Sequence, residues 1–205
     1  MSDQTPTVNP TFLIGGDLEV RRLGFGAMRI TGPGIWGEPL DNAEAVAVLR
    51  RCLALGINFI DTADSYGPDV SERLIGEALY PYPDDLVIAT KGGLLRGGPN
   101  NWEPDGRPEH LRATLEGSLK RLRLERIDLY QLHRIDPKVP LAESLGTLVD
   151  MQREGKIRHI GLSEVNADEL AQAQAITSIA TVQNRYNLAD REWESMVDTL
   201  SLIHI

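Results

Sequence analysis

Apolar positions recur along the chain with two different periods. Short β-branched runs such as INFI (57–60), LVIAT (86–90) and IATV (179–182) alternate with longer segments whose apolar residues return every three or four positions. The first pattern suits strands and the second suits amphipathic helices. TFLIGG and LEVRRLGFGAM open the chain and predict a hairpin about a Gly-Gly-Asp turn. Asp41 then precedes NAEAVAVLRRCLALG, an N-cap followed by a helix that stops at Gly56. VSERLIGEALY, RPEHLRATLEGSLKRLRL, LAESLGTLVDMQREG and ADELAQAQAI predict further helices, and DREWESMVDTL begins another. IDLYQLH and IRHIGLS predict the strands between them.

The strands are apolar throughout, so they read as buried on both faces in a parallel sheet. Two architectures compete, an open doubly wound sheet and a (β/α)8 barrel. A dinucleotide-binding doubly wound half would carry G-x-G-x-x-G in its first βα turn. Here Gly24 and Gly26 are present, but Arg29 stands where the third glycine would fall. The barrel is favoured. It is incomplete, because a hairpin and about six βα units leave the chain two strands short of eight.

Composition narrows the partners. The 205 residues, 41% hydrophobic and 25% charged, can bury a substantial core. A net charge of −9 argues against nonspecific binding to nucleic acid or an anionic membrane. It leaves room for a local basic pocket that takes a phosphorylated cofactor. The single cysteine, Cys52, lies in a helical pattern and reads as a buried structural thiol. The opening MSDQTPTVNP is polar, and no apolar run reaches the roughly 20 residues of a membrane span, so a cytoplasmic setting is expected.

Each strand exits on a polar residue: Asp61, Lys91, His133, Ser163 with Glu164, and Gln183 with Asn184. In a parallel barrel these exits share one rim, where active sites lie. Taken singly, each has a plain structural role: a turn or cap for Asp61, a loop lysine beside Gly92 and Gly93, a core histidine for His133. Tyr66 could be an ordinary rim aromatic. Asp61 and Asp64 are a weak cation signal without further ligands, and no G-x-S-x-G elbow supports a serine hydrolase. Together the residues make a proton-transfer set. A tyrosine titrates near 10 on its own, and a nearby ammonium held by a carboxylate favours loss of its proton. His133 could orient a carbonyl. Asp61, Tyr66, Lys91 and His133 would then serve a carbonyl oxygen that gains negative charge, with the electrons supplied by a cofactor.

LGFGAMRI, GINFIDTADSYG, VIATKGG, IDLYQLHRID, GKIRHIGLSEV and VQNRYN follow the order of the aldo-keto reductase superfamily, which the chain resembles from about Phe12 to Asp198. The likeness is greater to bacterial reductases reading DTADSYG than to the mammalian steroid-reducing branch. It implies a TIM barrel and NADPH-dependent reduction of an aldehyde or ketone. By motif position it implies Tyr66 as general acid, tuned by Lys91 and Asp61, with His133 orienting the substrate. Ser163 and Gln183 would bind the nicotinamide carboxamide, and Gly26, Ala27 and Met28 would line the cofactor. Glu164 replaces the family's frequent asparagine and is a weaker cofactor contact, since a carboxylate accepts but cannot donate. Asp64 and Ser65 read as turn residues without a chemical role.

The family continues through two more strands, which carry the nicotinamide-stacking aromatic and the residues for the 2′-phosphate. The expected organisation is a disordered tail over 1–10, a barrel domain over 11–198 and a non-native tail over 199–205. A barrel so truncated is expected to expose two strand edges and to bind NADPH weakly. Two other readings stand beside the reductase: a nicotinamide-binding redox-sensing regulatory subunit, and a nonfunctional fragment.

Overall fold

The computed structural model describes residues 10–203, with side chains described as far as Leu200. Of the expected N-terminal tail only Pro10 is described, and residues 204–205 of the expected C-terminal tail lie outside the described residues.

Strands β1 (Thr11–Ile14) and β2 (Leu18–Arg21) form the predicted antiparallel hairpin. Gly15 and Gly16 make its turn at φ 61° and 85°, and a Cβ on Gly15 would overlap the His159 ring. The chain then alternates strand and helix. The order is β3 (Phe25–Gly26), α1 (Asn42–Ala54), β4 (Phe59–Asp61), α2 (Val70–Leu79), β5 (Val87–Gly92), β6 (Leu94–Gly98), β7 (Asn101–Pro104) and α3 (Pro108–Leu122). It continues with β8 (Ile127–Leu132), α4 (Leu141–Arg153), β9 (Ile157–Ser163), α5 (Ala167–Gln174), β10 (Thr181–Gln183) and α6 (Glu194–Ile203).

Six strands pair in the order β3–β4–β5–β8–β9–β10, all parallel. This is the incomplete barrel wall that the strand count predicts. Among the described residues its edge strands β3 and β10 pair with nothing further. Helix α6 runs on through Thr199 to Ile203.

Strand alternation sorts the side chains. Ile60, Ile88, Tyr130, Leu132, Ile160 and Leu162 face the helices and share one core with Leu49, Leu74, Leu115 and Leu148. The opposite parity gives Val87, Ala89 and Leu129, which pack against Ile14, Leu18 and Val20 of the hairpin. The hairpin thus covers the amino end of the concave face. Lys91 is two residues beyond Ala89, and Gln131 and His133 continue the parity of Leu129, so they fall on that same concave face at its carboxyl end.

Two elements differ from expectation. The first barrel strand shrinks to Phe25–Gly26, because a 3₁₀ turn over Ala27–Ile30 follows at once. The segment LLRGGPNNWEPDGRP, in which the apolar pattern predicts no strand, holds the β6–β7 hairpin, turned at Pro99-Asn100 with Asn100 at φ 56°. Only Leu94 of this hairpin is fully buried, so no periodic apolar signal announces it.

Beneath the sheet's outer face lies a charge the sequence left unremarked. Glu72 is fully buried; it accepts from Arg121 Nε at 2.7 Å and from Thr90 Oγ1 at 2.5 Å. It joins α2 to both α3 and β5. Glu72→Ala would leave the buried Thr90 hydroxyl without its acceptor and the half-buried Arg121 with only its Asp69 pair at 3.1 Å, so a stability loss of about 1–3 kcal/mol is expected, read as a fall in the urea midpoint. A midpoint unchanged by the substitution would refute this.

Candidate active site

The carboxyl end of the concave face gathers the polar strand exits. Lys91, on β5, is 1% exposed; its Nζ donates to both oxygens of Asp61 at 2.8 Å and to Thr62 O at 2.9 Å. The Tyr66 hydroxyl lies 3.3 Å from the same nitrogen. Tyr66 is delivered by the turn after β4. Tyr66 N donates to Ala63 O, and Asp69 N donates to Asp64 O at 2.7 Å with Asp69 in the left-handed region. Gly67 has φ 102°, and a Cβ there would meet Val70 at 2.5 Å. The Thr62 and Ser71 hydroxyls lie 2.8 Å apart, and Ser71 Oγ donates to Ala27 O, so the turn is fastened to the start of α2 and to the 3₁₀ turn.

His133 follows β8, its amide bonded to Gly92 O. Its ring stands edge-on to Tyr66, centroids 5.7 Å apart at 83°. His133 Nδ1 is 3.2 Å from Ser65 Oγ. When the serine donates, the ring proton resides on Nε2, the nitrogen free to meet a ligand.

Electrostatics set the resting protonation. Burial pushes the Tyr66 phenol above its ordinary range, and Lys91 only partly opposes it, so the phenol is protonated at neutral pH. The motif by itself points only to the opposing pull of Lys91. Burial would lower the Lys91 ammonium, but Asp61 and Tyr66 outweigh it and leave the group above the usual lysine range. Burial, then Lys91, Arg134 and Arg96, hold His133 well below the ordinary histidine range.

That last shift yields an expected result. The unfolded chain binds a proton at this histidine below about pH 6.5, while the folded chain does not. Stability therefore falls as pH drops below that value, and His133→Gln should flatten this limb. Denaturation midpoints measured between neutral pH and pH about 5 check it; parallel curves for the two proteins would overturn it.

The remaining predicted residues reach the same rim. Ser163 ends β9, and its Oγ accepts from Arg134 Nη1 at 3.2 Å. Gln183 ends β10 beside it, register partner of Ser163. Gly26 ends β3, Ala27 is fully buried, and Met28 packs with Ile35, Ala63, Tyr66 and Trp102. Glu164 adopts φ 53°, and its Oε1 accepts from Arg185 N at 3.0 Å, so one carboxylate oxygen is engaged by the main chain. Asn184 clips both polar groups of Val165.

Several residues at the site were not singled out from sequence. Ser65, read only as a turn residue, meets His133. Arg134 bonds Ser163 and His133 O. Gln131 Oε1 is buried without a partner, two residues before His133. Arg96 comes from the β6–β7 hairpin. So does Trp102, which with Trp36 the sequence offers either as an apolar pocket wall or as a loop-packing residue; it stands 6.4 Å from both Tyr66 and His133 between ring centroids. The available signals were adjacency and parity: Ser65 precedes Tyr66, Arg134 follows His133, and Gln131 shares the parity of His133. A cleft of about 710 Å³ lies at the opposite end of the strands, against Phe12, Leu13, His159 and Ile179.

The curved parallel wall places the chain among α/β-barrel proteins. The sequence profile described as the aldo/keto reductase family matches residues 22–202, and the chain belongs to that family. An uncharacterized oxidoreductase of Schizosaccharomyces pombe is 54% identical over 89% of this chain and 60% of its own length. Pyridoxine 4-dehydrogenase of Escherichia coli is 44% identical over 93% of this chain and 68% of its own. The solved glycerol dehydrogenase of Gluconobacter oxydans superposes with a TM-score of 0.82 at 36% identity, covering 91% of this chain and 58% of that one. An aldo-keto reductase from Klebsiella pneumoniae, solved with NADPH, superposes with a TM-score of 0.76 at 26% identity over 95% and 65%. The chain thus spans about 60% of the length of the Schizosaccharomyces pombe oxidoreductase and of the Gluconobacter oxydans glycerol dehydrogenase. Among the described residues no helix is long and apolar enough to cross a membrane.

Proposed function

We propose that this site reduces an aldehyde or ketone to an alcohol with NADPH, within a reductase barrel domain over residues 11–198. The carrying observation is the buried Lys91 ammonium, 2.8 Å from both Asp61 oxygens and 3.3 Å from the Tyr66 hydroxyl. When bound, the nicotinamide supplies the hydride. The chain's own residues handle the oxygen. His133 Nε2 would donate to the carbonyl oxygen and fix its position. Tyr66 would give that oxygen its proton as charge builds there, and Lys91 would stabilise the resulting phenolate. Asp61 keeps the ammonium charged and aimed.

The rim residues fit an amide-bearing cofactor. A carboxamide needs both donors and acceptors, and Ser163 and Gln183 each offer both. The orphaned Gln131 Oε1 nearby is a buried acceptor with capacity left. The pyridine-ring alcohol and the small polyol in the names of two relatives make their carbonyl forms the first substrates to try. Consumption of NADPH, followed by absorbance with a panel of such aldehydes and ketones, tests the reading. No carbonyl-dependent consumption across the panel would overturn it.

A further inference from the structure

The β6–β7 hairpin is fastened over the site by one side chain. Arg96 Nε donates to Asn101 O at 3.0 Å. Its Nη1 donates to Ile35 O at 2.9 Å and to Ser65 O at 2.7 Å. Its Nη2 donates to Gly34 O and Gly98 O, both at 3.3 Å. A guanidinium has five N–H groups, and five main-chain carbonyls receive them. Those carbonyls belong to three segments: the 34–35 loop, the residue immediately before Tyr66, and the hairpin itself. The same guanidinium lies 3.5 Å from the centroid of the Trp102 ring and 5.5 Å from that of Trp36. No carboxylate pairs with it among the described residues, so its bonds are all to main chain and its stacking is all on indole.

One face of Trp102 is thereby closed, and the ring meets Tyr66 and His133 at 81° and 63°. Met28 and Ile35 complete the apolar cluster around Tyr66. In the reductase reading the substrate carbonyl meets Tyr66 and His133, and this indole stands beside both.

We infer that Arg96 is a positioning residue that locks the Trp102 wall and the Tyr66 turn into one unit, and so sets the size and shape of carbonyl substrate the site accepts. This rests on the reductase reading above. Arg96 touches no reacting atom; it acts through Trp102 and through the Ser65 carbonyl. Lysine cannot substitute, because a single ammonium carries three hydrogens and no planar face to stack on indole. A wall released by even about 1 Å costs on the order of 10²-fold in productive orientation.

The test uses Arg96→Met and Arg96→Lys. In a Trp36→Phe, Trp193→Phe background Trp102 is the sole indole of the chain, and acrylamide quenching reads its exposure without any need for turnover. Both Arg96 variants are expected to raise the quenching constant about twofold or more. With active protein, KM for a bulky aromatic aldehyde should rise about tenfold or more while kcat for a short aliphatic aldehyde changes less. Added guanidinium ion should restore part of the loss in Arg96→Met. Quenching that matches the parent overturns the inference, whether or not the protein turns over. So does an equal loss for both aldehydes in kcat alone. If Arg96→Met does not fold by circular dichroism, Arg96→Lys decides by the same criteria.

Discussion

Tyr66→Phe is expected to lower kcat for carbonyl reduction by about 10³-fold or more while NADPH binding stays within a few-fold of the parent. The substitution removes one oxygen and no ring, so the edge-on contacts with His133 and Trp102 remain. Lys91 keeps its bonds to Asp61 and Thr62 O. The cofactor candidates Ser163 and Gln183 stand on other strands and are untouched. What disappears is the group whose proton the product alcohol needs. Burial holds the resting phenol protonated, as an acid requires, and the ammonium 3.3 Å away gains strength as the phenolate forms. That difference between resting and reacting states is what accelerates the step. Steady-state kinetics on the variant, with a fluorescence titration of NADPH, separate the two effects. Undiminished turnover would remove Tyr66 from the chemistry; equal loss of binding and turnover would make it a cofactor ligand instead.

The sequence disclosed most of the concave rim because five of its residues sit at strand ends with fixed parity. Asp61, Lys91, His133, Ser163 and Gln183 each follow an apolar run, and a run buried on both faces has few reasons to end on a polar group. Helix boundaries were legible for a similar local reason: Asp41 accepts from Glu44 N at 3.0 Å and Asn166 closes a capping box with Glu169. Contacts between distant segments were not legible. Ser65 and His133 are 68 residues apart, and Arg96 and Gly34 are 62. The β6–β7 hairpin is held by Arg96 rather than by an apolar face, so its pattern reads as loop. Glu72 resembles any exposed helix carboxylate until Arg121 arrives 49 residues later. The balance at Tyr66 also escaped the sequence, since desolvation depends on the walls around it and not on the neighbours a motif names.

Asp61→Asn is expected to cost about 3–5 kcal/mol of stability at pH about 7, together with most of the activity. Lys91 is almost fully enclosed, and both carboxylate oxygens meet it at 2.8 Å. Asparagine matches the volume but leaves a buried ammonium without a counter-charge, the condition under which breaking a pair is most damaging. The pH dependence gives the sign. In the parent, Lys91 titrates above its ordinary range, because Asp61 and Tyr66 outweigh burial. The stabilisation is therefore fully present below the unfolded lysine pKa of about 10.4 and fades as pH rises through the folded value. In Asp61→Asn burial acts with little opposition, the folded amine loses its proton more readily, and the deficit against the parent should shrink as pH rises towards about 9. Asp61→Asn/Lys91→Met removes both charges and should recover a large part of the lost stability, with no recovery of activity, since the phenolate then has no cation beside it. Urea midpoints for the parent, the single variant and the double variant at the two pH values provide the measurement. A deficit independent of pH, or a double variant less stable than the single, would place the energetic role of Asp61 somewhere other than its pairing with Lys91.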